Sequence, residues 1–182
     1  MRIISGKYKG RVMKMPKGIR PTQAKVRKAL FDILGDIKGL SFLELFSGSG
    51  AVGIDALSMG AKEVVFVEKD KFCLRVLRGN LTYPPPSTYS ILPFDVFKAI
   101  EKLSKENHKF DIIFIDPPYY EDAAKKTLQM LCAYDILAPT GFIIAQHFKR
   151  ENLPDALGVL TLFKRKTYGD TVLSFYTTLS TK

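Results

Sequence analysis

The stretch FLELFSGSGAVGIDAL, residues 42–57, decides the fold. Its first five residues, apolar except for Glu44, form a run of the kind that makes a buried strand. The run leads into Gly48-Ser49-Gly50-Ala51-Val52-Gly53, a literal G-x-G-x-x-G, and Ala51 onward reads as a helix. A glycine-rich turn between a strand and a helix is the setting in which a backbone approaches a nucleotide closely. The glycines do not say which nucleotide. Glu68 ends the next apolar run, 18 positions past Gly50, where a carboxylate can accept the hydroxyls of a ribose. Glu44, just before the loop, suits a cationic ligand end better than a pyrophosphate.

Working outward, the chain alternates between the two periods. SFLELF, EVVFVE, TYSIL, FDIIFID and GFIIAQHF read as strands, separated by helical patterns over 51–59, 71–81, 96–103 and 121–132. Near-continuous apolar strands of this kind belong to a mostly parallel sheet covered on both faces. The last twenty or so residues read as two strands around Lys166–Asp170, a terminal antiparallel hairpin. Before residue 39, RIISGKYKGRVMKM reads as a hairpin. A helix follows from Gln23 to about Asp36, with Thr22 as its expected N-cap. The expected organisation is therefore a basic hairpin-and-helix extension, 1–38, on an α/β body, 39–182, in one compact unit.

Charge is placed unevenly. Residues 1–28 carry ten Lys or Arg and no acid, while the other 18 basic groups balance all 18 acids. The net charge of +10 thus resides in the first 28 residues. The segment also has apolar, Gly, Pro and Tyr residues, so it reads as a folded electrostatic footprint for nucleic acid. Lys7, Lys9 and Arg11 are its hairpin cations. No run approaches the length of a membrane span, and the first residues have no apolar leader core. Two cysteines, Cys73 and Cys132, and two histidines, His108 and His147, give no metal-binding pattern, and a reducing cytoplasm is expected.

The fourth strand ends in Asp116-Pro117-Pro118-Tyr119. Two prolines fix the backbone and remove two N–H donors, leaving carbonyls free. A carboxylate, free carbonyls and an aromatic ring at one point suit a flat base with an exocyclic amine. Tyr119 can stack on the ring, and Asp116 and the Pro117 carbonyl can accept the amine hydrogens. Hydrogen bonds that favour a pyramidal nitrogen strengthen in the transition state of an attack by that amine.

D-P-P-Y after this type of glycine loop resembles the S-adenosylmethionine-dependent amino-methyltransferases. RIISGKYKGR, RPTQAKVRKALFDIL, LELFSGSGAVGIDALSMGA, VEKD, DPPY and YGDTVLSFY resemble, in order and spacing, the RsmD family of bacterial 16S rRNA (guanine-N2)-methyltransferases. The resemblance covers nearly the whole chain. It implies a Rossmann-like class I methyltransferase fold, a seven-stranded mostly parallel sheet with an antiparallel C-terminal hairpin and an N-terminal β-hairpin extension. It implies S-adenosylmethionine as cofactor and 16S rRNA or the small ribosomal subunit as partner; with no coiled-coil or swapped-arm pattern in the sequence, a monomer is the default expectation. Carried over by position, Glu44, Ser47, Gly48, Ser49 and Gly50 would line the methionine end. Glu68 would hold the ribose beside Lys69, and Asp95 and Val96 would meet the adenine. Asp116, Pro117, Pro118 and Tyr119 would hold the target base, and Arg20, Pro21, Thr22 and Arg27 would lie near the catalytic mouth. Gln146 stands where the family commonly has an acid, and YPPPSTY is an unusual connection. Two rival substrates or roles stay open on local residues: an adenine-N6 amine, and RNA binding without catalysis. A nicotinamide oxidoreductase would leave 116–119 unexplained.

Overall fold

The computed structural model describes residues 1–18, 22–118 and 122–178, and divides into two compact units, Met1–Asp95 and Val96–Lys182.

The first unit contains helix α1 (Ala24–Leu34), strand β1 (Ser41–Leu45), helix α2 (Ala51–Ser58), strand β2 (Glu63–Val67), helix α3 (Lys71–Asn80) and strand β3 (Tyr89–Leu92). The strands lie parallel in the order β3-β2-β1. All five residues of β1 and four of the five in β2 are buried, as the absence of a polar alternation required. Every residue of α2 is buried as well. One contact that permits this is at Gly53, where a Cβ would stand 2.4 Å from the Phe66 ring and 2.8 Å from the Glu44 carboxylate. α3 starts on Asp70, whose side chain accepts the Cys73 N–H at 2.8 Å.

α1 starts on Gln23, which makes no side-chain cap bond; the Thr22 cap expected from the sequence is displaced by one residue. The N-terminal hairpin has antiparallel arms, with Ile3 N–H donating to Arg11 at 3.0 Å and Met13 N–H to Met1 at 2.8 Å. Its one β-bridge is Arg2–Val12. A longer ladder does not form because the turn residues bond α2 instead. Lys7 N–H donates to the Ser58 carbonyl at 2.7 Å and Tyr8 N–H to the Ser58 hydroxyl at 2.8 Å. Gly6 has φ +74, and a Cβ there would fall 1.9 Å from the Ser58 carbonyl oxygen, so only glycine fits.

The second unit contains α4 (Val96–Lys105), β4 (Phe110–Ile115), α5 (Ala123–Ala133), β5 (Leu137–Phe148), β6 (Ala156–Leu157), β7 (Leu160–Tyr168) and β8 (Thr171–Thr178). β4 and β5 are parallel, and the register then turns antiparallel through β8, β7 and β6. Pairing of Tyr168 with Thr171 leaves Gly169-Asp170 as a two-residue hairpin loop. The expected strands are present, and β6 adds a two-residue edge. β5 begins at Leu137, four residues before the apolar run suggested, because Leu137 pairs with Phe110 ahead of a register shift.

Candidate methyl-donor and target-base sites

The first unit assembles the glycine loop from three directions. Phe46, the residue after β1, has φ +59, an uncommon conformation for a side-chain-bearing residue. The chain thereby turns sharply into Ser47, whose N–H donates to the Val67 carbonyl at 3.0 Å and whose hydroxyl donates to the Glu44 carbonyl at 2.7 Å. Gly48 and Gly50 follow with φ +54 and +76. They differ in surroundings. A Cβ at Gly50 would meet Leu77 of α3 at 2.3 Å, whereas one at Gly48 would meet nothing within 4 Å. The loop is thus packed on one side and open on the other, the side a ligand can approach.

Two carboxylates flank it. Glu44 is buried on β1, and its two oxygens accept the Val52 and Gly53 N–H groups at 3.2 and 3.0 Å. These are first-turn donors of α2, where the helix dipole favours an anion. Glu68 stands at the end of β2. One oxygen accepts the Gly48 N–H at 2.7 Å and the other accepts Lys69 and Asp70 N–H groups at 2.8 Å each. A carboxylate has about four acceptor positions, so these bonds leave about one. Taking both ribose hydroxyls directly would require one backbone N–H, such as that of Gly48, to let go. The bonds also hold the carboxylate in a fixed orientation against the loop. Lys69 is mostly exposed and its ammonium pairs with Asp95 at 3.0 Å, so the two residues assigned to opposite ends of the nucleoside meet each other here.

In the second unit Val96 is buried as the first residue of α4. Asp116 follows β4 directly and is half-buried, Pro117 is buried and Pro118 is exposed. Tyr119 lies outside the described residues, as do Arg20 and Pro21.

The cations assigned to RNA divide. Lys7, Lys9 and Arg11 are exposed. The Arg11 guanidinium lies 4.2 Å from the centroid of the Tyr83 ring, and Tyr83 stacks on Tyr8 with centroids 6.5 Å apart. The unusual YPPP connection thus supplies the ring that holds Arg11. Thr22 is half-buried. Arg27 is a correction. Its side chain is fully buried and ion-paired with the fully buried Asp55 of α2, and its Nη2 donates to the Arg2 carbonyl at 3.0 Å. A guanidinium so enclosed clamps the extension and does not reach a phosphate. Burial pushes Asp55 up to about 6, with the Arg27 charge and the Ile4 N–H pulling it back.

Sequence reasoning missed Asp55, Ser58 and Asn80. The first two lay inside an apolar helix, and a polar residue there was the available signal that something packs on the helix's far side. Asn80 is buried at the end of α3 and gave no such signal. Among the described residues no group of three His, Cys, Asp or Glu could hold a metal ion, and no helix is long and apolar enough to cross a membrane.

Residues 1–177 match the family model described as conserved hypothetical protein 95. The chain is 33% identical over 178 residues to ribosomal RNA small subunit methyltransferase D of Haemophilus influenzae, covering 93% of this chain and 89% of that protein. The fold is similar to a solved hypothetical protein of Thermus thermophilus, with a TM-score of 0.83 and 32% identity over 96% of this chain and 98% of that one. It is also similar to the solved yhhF chain of Escherichia coli, described as a methyltransferase candidate, with a TM-score of 0.85 and 28% identity over 98% and 97% of the two chains. With residues 1–177 matched by the family model and a third of its residues identical to a small-subunit methyltransferase D across nearly its whole length, the chain belongs to the RsmD family of small-subunit rRNA methyltransferases.

Proposed function

We propose that the protein methylates the exocyclic N2 amine of one guanine in 16S rRNA, with S-adenosylmethionine as donor and the small ribosomal subunit as the form of the substrate. The observation that carries the donor half is the loop with one open side between two oriented carboxylates. Its chemistry fits a ligand with a cationic end and a ribose. Glu44 and Ser47–Gly50 would take the methionine end, Glu68 and Lys69 the ribose, and Asp95 and Val96 the adenine. Bound there, the donor supplies an electrophilic methyl group, and positioning carries most of the acceleration.

The chain's own part is to make a poor nucleophile reactive. The guanine amine lone pair is delocalised into the ring. Asp116 and the Pro117 carbonyl accept its hydrogens and favour the pyramidal form, and Tyr119 stacks on the base. The prolines contribute no donor that would compete for those acceptors. The guanine leaves its stack to reach them, which is easiest for a base in a loop. Residues 1–38 grip the surrounding phosphates. The protein works as a monomer in the cytoplasm.

The test offers radiolabelled S-adenosylmethionine with small subunits from a strain lacking this gene, naked 16S RNA and duplex DNA, and maps the modified base. Label on one guanine N2 is expected. Label on adenine, or on DNA alone, would overturn the substrate. Asp116→Ala should lower turnover at least a hundredfold while S-adenosylhomocysteine still binds, and preserved turnover would remove the base-holding role.

A further inference from the structure

Asn80 joins two parts of the first unit that are assigned to different ligands. It is the last residue of α3 and its side chain is buried, 3% exposed. Its Oδ1 accepts the Lys14 N–H at 2.8 Å, and its Nδ2 donates to the Lys14 carbonyl at 3.0 Å. One side-chain amide thus holds both backbone groups of a single residue in the basic N-terminal segment, as a neighbouring strand would. The same Nδ2 donates to the carbonyl of Ser49 at 3.0 Å. Ser49 lies between Gly48 and Gly50 in the glycine loop. Both Nδ2 hydrogens and the oxygen therefore have partners, in a place where unpaired polar atoms are costly.

We propose that Asn80 is a positioning residue that couples RNA binding by the N-terminal segment to cofactor binding by the glycine loop. The inference rests on the assignment of these two elements made above and adds a thermodynamic link between them. The amide cannot follow Lys14 without turning away from Ser49, nor follow Ser49 without breaking the pair on Lys14. RNA that fixes the segment therefore restrains the amide, and the amide restrains the Ser49 carbonyl. The loop then loses less freedom when the cofactor enters, which makes the coupling favourable. Linkage requires the effect to be equal in both directions. Packing around the amide supports a discrete arrangement. Leu77, one turn earlier on α3, fills the space that a Gly50 side chain would need, so loop and helix end are packed directly against each other.

The experiment measures the affinity of the full-length protein for S-adenosylhomocysteine, alone and saturated with unmethylated small ribosomal subunits. It also measures the affinity for subunits with and without S-adenosylhomocysteine. The wild type should show tightening of about fivefold or more, equal within error in the two directions. Asn80→Ala should reduce that factor to below twofold. Asn80→Asp keeps an acceptor for the Lys14 N–H but loses both Nδ2 donations, to the Lys14 and Ser49 carbonyls, and should also fall below twofold, with a melting temperature below the wild type's because a carboxylate oxygen then faces two carbonyls. Should Asn80→Ala fail to fold, the aspartate variant and the wild-type factor decide. No coupling in the wild type overturns the proposal, and so does full coupling in both variants. Absence of binding to either ligand by the wild type would overturn the functional reading, and the coupling with it. Both ligands binding independently would overturn the coupling alone.

Discussion

Arg27 shows at the residue scale what a sequence hides. It was one of ten cations in an acid-free segment, and nothing within that segment set it apart from Lys7 or Arg11. Its partner, Asp55, is 28 positions away, inside a helix that is otherwise mostly apolar. The pair is buried, with both side chains fully enclosed. Removing one partner of such a pair leaves an uncompensated charge, which costs about 3–5 kcal/mol. Arg27→Met should therefore lower urea-measured stability by that amount. Asp55→Leu should cost at least as much, since it also strands the Ile4 N–H that donates to Asp55 at 3.0 Å. The double variant should be more stable than the sum of the two losses implies, because neither charge is left alone. If Arg27→Met kept its stability and lost RNA affinity, the phosphate-contact role would return. Glu44 and Glu68 were legible for the opposite reason. Each sits at a strand end next to the glycine loop, and position along the chain was enough to place them.

Among the elements, the central strands β1, β2 and β4 and most helices were legible because burial on both faces leaves a near-continuous apolar run, and an amphipathic helix leaves a 3.6-residue stripe. The N-terminal hairpin was legible as a reversal but not as a structure. Its regular pairing ends early because Ser58 of α2 takes the Lys7 and Tyr8 N–H groups, and that competition depends on contacts about 50 residues apart. The same docking gives the basic segment a fixed shape. Lys7, Lys9, Arg11, Lys14 and Lys17 are all exposed, while Arg27 is enclosed and Lys28 pairs with Asp32 at 2.7 Å. The cations available to phosphates are thus fewer than the composition suggests. If about four are engaged, log affinity for single-stranded RNA should fall with log salt at a slope of about −3. Lys7→Ala with Arg11→Ala should flatten that slope by about 1.4, at about 0.7 per contact. Affinity for S-adenosylhomocysteine in the absence of RNA should stay unchanged. A slope equal to the wild type's would remove these two side chains from the phosphate contacts.

For the molecule as a whole, the pH dependence of folding is set in part by two buried groups of opposite effect. His147 on β5 has its Nδ1 3.1 Å from the Phe148 carbonyl and its Nε2 2.9 Å from the Ser174 hydroxyl. A carbonyl can only accept, so Nδ1 carries the hydrogen and the neutral ring takes the Ser174 hydrogen at Nε2. Burial holds the ring below its ordinary 6.5; the nearby Arg165 charge lowers it further, while the Phe148 and Glu151 backbone groups pull it back up. In the unfolded chain the histidine takes a proton near 6.5, whereas the folded protein resists until a lower pH. Stability from this group is therefore full above about 6.5 and is lost as pH falls through the folded value. Asp55 runs the other way. Its folded value of about 6 lies above the ordinary 3.8, so its contribution is full at low pH and is lost as pH rises through about 6. The two act in opposite directions in the wild type as pH falls below about 6, and total stability alone does not separate them. His147→Gln does, since glutamine can donate and accept in the same place without titrating. The wild-type melting temperature minus that of the variant should be largest near about pH 7.5 and shrink steadily toward about pH 5. Parallel curves across that range would mean that His147 titrates alike in the folded and unfolded chains, and that its two hydrogen bonds do not fix its neutral form.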